Sequence, residues 1–221
     1  MILLDSKNPQ FPDPNTALVE PDGLLAIGGN LAPSTLLSAY RRGIFPWYAE
    51  SDPLLWWSPS IRCVLDPRDI HISRSLSKQL RQGRYEISTD WAFVEVINHC
   101  AQRRDHKGTW ITSDMIAAYT ALHRQGYAHS IEVWQDDNLI GGIYGLAIGS
   151  VFCGESMFSH SANGSKIAMV HLCRHMVERG FILLDCQIVS DHLLSMGAKP
   201  MNRVDFLSLI STQKNTAISW L

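Results

Sequence analysis

The stretch SIEVWQDDNLIGGIYGLAIGSVFCGESMFS, residues 130–159, carries the clearest fold signal in the sequence. Three apolar runs are separated by two turn signals, QDDN at 135–138 and Gly149-Ser150. Short apolar runs bounded by turn residues are typical of β-strands joined by tight hairpins. The stretch therefore predicts a three-stranded antiparallel meander.

The sequence after the meander predicts a long helix and then a buried strand. Apolar residues recur at helical spacing over residues 164–179, and Gly180 ends the pattern. The apolar run FILLDCQ (181–187) is consistent with a strand buried on both faces. DHLLSMGA (191–198) predicts a short helix, and a strand and a helix near 204–211 close the chain.

The sequence before the meander is more broken. Residues 1–32 are rich in turn signals and are predicted to be irregular. A first helix is predicted from Pro33 to Gly43, with Leu36, Leu37 and Tyr40 on its buried face. The remaining predicted elements are extended pieces near 54–57 and 61–65, helices at 72–83, 91–102 and 112–126, a strand at 84–90 and a polar loop at 103–109. The whole pattern predicts an α+β (α/β-like) fold, with helices covering a mixed sheet.

Composition limits the functional classes. The chain has 221 residues, a formal net charge of −2 and five cysteines without C-x-x-C spacing. The odd cysteine count disfavours a disulfide framework or a zinc ribbon, and predicts reduced thiols in a cytosolic protein. The sequence lacks the apolar run of a membrane-spanning helix and predicts no signal peptide. With this net charge, nucleic acid would have to bind through a local basic patch.

Metal and phosphate signatures are weak. His171 and His175 have i, i+4 spacing, but no glutamate separates them as in H-E-x-x-H and no third ligand is evident. They are predicted to be ordinary core or surface histidines. NGSK (163–166) begins the long helix, where anion binding and simple capping are equally good readings.

Two carboxylates fall on predicted central strands, where an unpaired charge is costly. Glu155 lies in CGESMFS, and Asp185 lies in LLDCQ together with Gln187. On a regular strand Asp185 and Gln187 share one face, while Leu184 and Cys186 share the other. A carboxylate and an amide side by side can hold an amine. A structural salt bridge explains Asp185 equally well.

Loop tryptophans and a basic helix suggest nucleic acid. Trp47 and Trp110 lie in or beside predicted loops, and a helix without acidic residues lies between them in sequence. Loop aromatics and cations together suit single-stranded nucleic acid. The alternatives are core filling for the tryptophans and a solvated face for the helix. The basic residues are Arg74, Lys78 and Arg81, followed by Arg84 at the next strand.

Ten or so motifs in order resemble the leucyl/phenylalanyl-tRNA–protein transferase family. They are EPDGLLAIGGNL, AYRRGIFPW, WWSP, HISRSL, GTWIT, HSIEVW, GGIYG, FCGESMFS, SK, LLDCQ and DHLLSMGA, and the resemblance spans residues 11–210. It implies a small N-terminal domain, assigned to residues 1–61, and a larger GNAT-like acyltransferase domain, assigned to residues 62–221. It also implies transfer of leucine or phenylalanine from aminoacyl-tRNA to a protein's N-terminal Arg or Lys. Because a pocket that selects by shape discriminates only modestly, methionine is expected as a further donor. The product carries an N-terminal degradation signal.

The resemblance assigns roles to individual residues. Asp185, Gln187 and Glu155 would form the reaction centre, with the base and the binder left unassigned; the tRNA hydroxyl or a water could also take the proton. Trp47 and Trp110 would hold the 3′-terminal adenosine, and Arg74, Lys78, Arg81 and Arg84 would contact the acceptor stem. The donor side-chain pocket would comprise Ile143, Phe152, Met169, Leu172, Met176 and Leu184.

The family's chemistry starts from an activated ester, so the resemblance implies no cofactor, no metal and no ATP. It also implies no membrane partner, and a monomer. Trp56 and Trp57 would point opposite ways, with at least one packed between the domains and Trp57 contributing mainly to stability. Two alternatives remain open: an acetyl-CoA-dependent N-acetyltransferase, although its Gly-rich pyrophosphate signature is absent, and a non-catalytic RNA-binding protein.

Overall fold

The computed structural model describes residues 1–102 and 110–221, so the loop predicted at 103–109 lies outside the described residues. The strands are β1 Ile2–Leu4, β2 Leu24–Gly28, β3 Phe45–Pro46, β4 Leu55–Trp57, β5 Ile61–Leu65, β6 Glu86–Thr89, β7 Ala128–Gln135, β8 Asn138–Ile148, β9 Val151–Ser159, β10 Leu183–Gln187 and β11 Lys199–Asn202. The helices are α1 Pro33–Tyr40, α2 Arg74–Gln82, α3 Phe93–Ala101, α4 Ser113–Arg124, α5 Gly164–Arg179, α6 Asp191–Ser195 and α7 Arg203–Gln213. Two short 3-10 turns, Pro14–Thr16 and Pro67–Asp69, complete the elements.

The larger sheet has seven strands in the order β11-β5-β10-β9-β8-β7-β6. The predicted meander is confirmed: β7, β8 and β9 are consecutive and antiparallel, and Ile143 pairs with Ile131 on one side and Met157 on the other. Strand β10 runs parallel to β9 but antiparallel to β5, which makes the sheet mixed. The predicted mixed sheet is therefore present.

Helices cover both faces of this sheet because side chains alternate along its strands. On β8, Ile143 packs into the core cluster that contains the buried face of α5, including Met169. Its neighbour Tyr144 packs into the other cluster, with residues of α3 and α4 such as Phe93 and Tyr119. The bounds of α5 agree with the helix predicted at 164–179.

The smaller sheet corrects the prediction that residues 1–32 are irregular. Its order is β1-β2-β4-β3, with β1 parallel to β2 and β4 antiparallel to both of its neighbours. The three-residue β1 pairs with β2 from Ile2↔Ala26 to Leu4↔Gly28. Strands this short contain too few residues to show an alternating pattern, and the flanking glycines and prolines give a turn signal instead.

Gly43 turns the chain from α1 into β3 of the small sheet. Its φ of +71° is in the left-handed region, and a Cβ there would lie 2.6 Å from Leu207 of α7. Both facts require glycine. The turn places Phe45 and Pro46 in β3 and Trp47 immediately after it.

One core cluster joins the two sheets. It contains Trp56 of β4 and Tyr40 of α1 together with Tyr119, Tyr144 and Phe206 of the later elements. The small sheet ends at Trp57 and the large sheet begins at Ile61, close to the predicted domain boundary at 61/62, which stays a prediction. Among the described residues, no helix is long and apolar enough to cross a membrane.

Candidate active site

Two bulges open the seam between β9 and β10. On β9, Tyr144 pairs with Ser156 and Gly145 pairs with Gly154, so Glu155 is the extra residue. On β10, Asp185 pairs with Val64 and Gln187 pairs with Cys63, so Cys186 is extra. The parallel pairing of β9 with β10 ends at Asp185↔Cys153. Bulges bend strands and change the direction of their side chains. Strands β9 and β10 are no longer paired beyond Cys153 and Asp185.

Glu155 lies at the open end of the seam under two tyrosines. Tyr40 Oη donates to Glu155 Oε1 at 2.7 Å, and Tyr119 Oη donates to Oε2 at 3.0 Å. The two phenol oxygens also lie within hydrogen-bond distance of each other, so the two O–H groups and the carboxylate form one cluster in which each phenol has a single proton to donate. Gln187 Nε2 lies 3.4 Å from Oε1. The carboxylate is thus fixed by groups from α1, α4 and β10.

Desolvation dominates the acidity of Glu155. Burial raises its pKa from 4.5 to about 7, and the hydrogen bonds from Tyr40 and Tyr119 oppose the rise. Burial also raises the pKa values of both tyrosines well above their ordinary value, so they stay neutral donors. A carboxyl group with a pKa near neutrality can exchange a proton with a substrate at physiological pH.

Tyr40→Phe is expected to shift the pH dependence of any reaction that needs ionised Glu155. Tyr40 lowers the pKa of Glu155, so its loss raises that pKa and moves the rising limb of kcat/KM to higher pH. Tyr144→Phe is the matched control, because Tyr144 Oη is buried without a hydrogen-bond partner among the described residues. Equal pH profiles for Tyr40→Phe and wild type would contradict the role given to the phenol.

Asp185 is buried in an ion pair. It is fully buried, and Arg62 is 1% exposed. Arg62 Nε and Nη2 donate to its two oxygens at 2.8 and 2.7 Å, and the Gln187 backbone N–H donates to Oδ1 at 3.0 Å. Leu184 and Cys186 pack against the same core cluster, as alternation predicts, whereas the shared face of Asp185 and Gln187 stays a prediction because the bulge falls between them. Gln187, with a φ of +57°, lines the cavities described next, and Asp185 does not.

An apolar cavity of about 90 Å³ lies in the open seam. Of the six residues predicted for the donor pocket, Ile143, Met169 and Leu184 line it. Phe152, Leu172 and Met176 do not; they are buried in the same core cluster, and Phe152 stacks on Trp220. The lining residues that sequence reasoning missed include Met157, Cys186 and Leu193.

An aromatic cleft of about 270 Å³ adjoins this cavity, and the two share Glu155, Cys186, Gln187 and Leu193. Its other walls come from strand β3 (Phe45 and Pro46), from Trp47 just after it, and from Trp110 and Ile188. Trp47 is 41% exposed. The structure therefore brings together the two predicted stacking rings, Glu155 and Gln187.

Trp56 and Trp57, which lie in β4 shortly after Trp47, have different surroundings. Trp56 is fully buried, stacks edge-on against Phe11 and donates to Gly28 O. Trp57 is half-buried and donates to the carbonyl of Trp47 at 2.6 Å. The ring buried most deeply is therefore Trp56, whereas Trp57 supports the loop that carries Trp47. Trp56 therefore agrees with the expectation that at least one of the pair is packed inside, and the stability role expected for Trp57 stays a prediction.

The four predicted acceptor-stem residues lie at an exposed edge. Arg74, Lys78 and Arg81 lie on α2, Arg84 follows its Gly83 cap, and all four are exposed. None has an ion-pair partner within residues 1–102 and 110–221. Gln79 holds α2 against the start of α5, by contacts with Ala162 O and Asn163. The side chain of Asn163 is thus committed to α2 rather than to an anion.

Comparison with known proteins identifies the family. The sequence model described as leucyl/phenylalanyl-tRNA protein transferase matches residues 64–211, and the model of that enzyme's N-terminal domain matches residues 29–60. The chain belongs to the leucyl/phenylalanyl-tRNA–protein transferase family. The family predicted from the motifs is thereby confirmed.

Relatives in the leucyl/phenylalanyl-tRNA–protein transferase family align over most of their length. The protein of that name from Nitrosospira multiformis is 54% identical over 91% of this chain and 87% of its own. The one from Cellvibrio japonicus is 52% identical over 91% and 86%. Among solved structures, FemX shares the fold, with a TM-score of 0.50 and 11% identity over 69% of this chain and 64% of its own. A GCN5-related N-acetyltransferase from Kribbella flavida aligns more weakly, with a TM-score of 0.41 and 11% identity over 72% and 57%.

His171 and His175, the pair with metal-ligand spacing, have different surroundings. In the part of the chain that the structure describes, no group of three or more potential ligands is close enough to hold a metal ion. His175 Nε2 faces the carbonyl of Trp220, and His171 packs beside Tyr85. The two histidines therefore make separate contacts rather than a shared site.

Proposed function

We propose that this chain transfers leucine or phenylalanine, and also methionine, from aminoacyl-tRNA to the N-terminal Arg or Lys of an acceptor protein. The supporting observation is that Glu155 and Gln187 lie where the apolar cavity meets the aromatic cleft. An apolar donor side chain and a terminal adenine are the two parts of the donor that flank the reactive ester. The reacting carbonyl would then lie beside Glu155 and Gln187. The product would carry an N-terminal degradation signal.

The donor is proposed to bind through both cavities at once. Its side chain would enter the seam between β9 and β10, where Met157 and Met169 offer adaptable thioethers. Its adenine would contact Trp47 and Trp110, and such stacking contributes about 1–3 kcal/mol per base. A shape-based apolar pocket discriminates only modestly between similar side chains, which is why methionine is included.

The reaction needs orientation and a neutral amine. The acceptor α-amino nitrogen attacks the ester carbonyl, a C–N bond forms, the ester C–O bond breaks, and the tRNA sugar hydroxyl leaves with a proton. Glu155 is proposed to take the proton that the amine loses, because its raised pKa suits proton transfer near neutral pH. Gln187 is proposed to orient the carbonyl or the amine. Because both oxygens of Asp185 already accept hydrogen bonds, Asp185 is proposed to hold Gln187 in place.

The remaining proposals concern partners and place. The exposed cations of α2 would contact the phosphates of the acceptor stem, an interaction compatible with a net charge of −2. The acceptor's Arg or Lys side chain needs an anionic partner, and Glu155 is the alternative candidate for that role. We propose that the protein acts as a monomer in the cytoplasm, where charged tRNA is present.

Arg74→Ala with Arg81→Ala is expected to raise KM for charged tRNA and to weaken its salt dependence. Each lost phosphate contact reduces the slope of log K against log salt by about 1, so the double variant should lose about 2. The matched control is Arg124→Ala with Arg179→Ala, two exposed arginines at the ends of α4 and α5. Identical slopes for the two double variants would remove α2 from the tRNA site.

The function is tested by supplying labelled Phe-tRNA and a peptide that begins with Arg. Transfer of the label to the peptide α-amino group, and none to a peptide that begins with Asp, is the expected result. Acetyl-CoA binding by calorimetry without transfer from Phe-tRNA would indicate an N-acetyltransferase instead. Tight tRNA binding without transfer to the Arg peptide would indicate an RNA-binding protein.

A further inference from the structure

Arg62 links two parts of the candidate site that lie on different elements. It lies on β5, is almost fully buried and carries one of the two charges of the buried ion pair with Asp185. Nε and Nη2 donate to the Asp185 carboxylate, and Nη1 donates to Gly43 O at 3.1 Å. All three nitrogens of the guanidinium are therefore bonded.

Aromatic rings fix the plane of the same guanidinium. Its Cζ lies 4.7 Å from the ring centroid of Phe45 and 4.5 Å from that of Phe206. Phe45 is itself a wall of the aromatic cleft and stands two residues before Trp47. Arg62 thus contacts Gly43 and Phe45, the residues that lead into the segment carrying Trp47.

Arg62 also acts on the Gln187 backbone, through the carboxylate of Asp185. Asp185 Oδ1 accepts both from Arg62 Nε and from the Gln187 N–H. Gln187 sits in a left-handed conformation that is unfavourable for a residue with a side chain. Such a conformation persists only when its surroundings enforce it, and the Arg62-Asp185 pair supplies one of those constraints.

We propose that Arg62 is a positioning residue that sets the distance between Gln187 and the segment Gly43 to Trp47, whose tryptophan is proposed to bind the adenosine. This inference rests on the proposed function. A rigid, planar donor with several directed N–H groups suits the task, because each contact points in a different direction. Lysine keeps the positive charge but replaces the planar guanidinium, with its several N–H directions, by a single ammonium group.

The test is a kinetic comparison of Arg62→Lys with wild type, using Phe-tRNA and the Arg peptide. We expect KM for Phe-tRNA to rise and kcat to fall, with a combined loss in kcat/KM of about 100-fold, as a misplacement near 1 Å produces. A purely structural role would reduce the folded fraction, which lowers the apparent kcat but leaves KM unchanged. An unchanged KM would therefore overturn the proposal.

Arg203→Lys is the matched control. Arg203 is partly buried and, like Arg62, donates to a main-chain carbonyl, Ser58 O at 2.6 Å, but its hydrogen bonds do not involve Asp185 or Gly43. We expect it to leave KM and kcat near wild-type values. Equal effects of the two Lys variants on KM would count against a specific role for Arg62.

A second variant covers the case in which Arg62→Lys fails to fold. Arg62→Met with Asp185→Leu removes both buried charges, and such replacements are often neutral for stability. Its KM for Phe-tRNA is expected to rise, because the loop loses its anchor at Gly43; a wild-type KM would contradict the proposal. An inactive wild-type protein would refute the proposed function, whereas an active wild type with unaffected Arg62 variants would refute only the role of Arg62.

Discussion

Glu155→Gln is expected to lower kcat for phenylalanyl transfer by about 10²–10⁴, the range that general acid–base catalysis contributes. The glutamine side chain has nearly the same shape as glutamate, and its amide oxygen can still accept a hydrogen bond from one of the two tyrosines. The amide cannot take up a proton from the substrate amine. KM for Phe-tRNA should change little, because the walls of the aromatic cleft and of the apolar cavity are preserved. Steady-state kinetics over a range of pH measure both constants.

Glu132→Gln is the matched control for this substitution. Glu132 is also a buried glutamate on the large sheet, but its oxygens accept from Ser88 and Ser130, and it lines neither cavity. If kcat falls equally in both Gln variants, the loss reflects disturbance of the large sheet and not a role of Glu155 in proton transfer. If Glu155→Gln keeps wild-type kcat but loses discrimination between Arg and Leu peptides, Glu155 binds the acceptor side chain.

Asp185→Ala is expected to destabilise the fold by about 3–5 kcal/mol, because it leaves Arg62 as an uncompensated buried charge. For a chain of this size each kcal/mol lowers Tm by about 2–4 °C, so the fall should be about 6–20 °C. Thermal unfolding followed by circular dichroism measures it. Loss of transfer in this variant would then be partly a loss of folded protein.

The control for Asp185→Ala is Asp69→Ala. Asp69 pairs with Lys199 at 2.9 Å, but these side chains are 53% and 70% exposed. Exposed pairs of this kind are worth about 0–1 kcal/mol, so Tm should scarcely move. Comparable falls in Tm for both variants would contradict the importance given to the buried pair.

Much of the fold could be predicted from local patterns. The meander, the long helix α5 and the buried strand β10 carry long apolar signals with clear turn or glycine boundaries, and all three were predicted correctly. Strands β1 and β2 were missed because their pairing joins residues more than twenty positions apart and each strand is short.

The candidate site was predictable in its residue types but not in its geometry. Glu155, Gln187, Trp47 and Trp110 meet around one pair of cavities, as the family resemblance implied. The bulges at Glu155 and Cys186 could not be predicted, since one extra residue in a strand leaves no periodic trace. The salt bridge of Asp185 with Arg62 was one of two interpretations that the sequence left open, because the partners lie 123 positions apart. Tyr40 was predicted only as a buried face residue, since its partner lies 115 positions away.

The position of Tyr40 has a consequence for the first sixty residues. Its phenol belongs to the segment matched by the N-terminal domain of the family, yet it bonds directly to the carboxylate of Glu155 on the large sheet. The N-terminal segment therefore supplies more than one wall of the aromatic cleft. It helps set the acidity of the proposed proton acceptor, so a fragment that begins at the large sheet would possess Glu155 without one of the two donors that keep its pKa near neutrality.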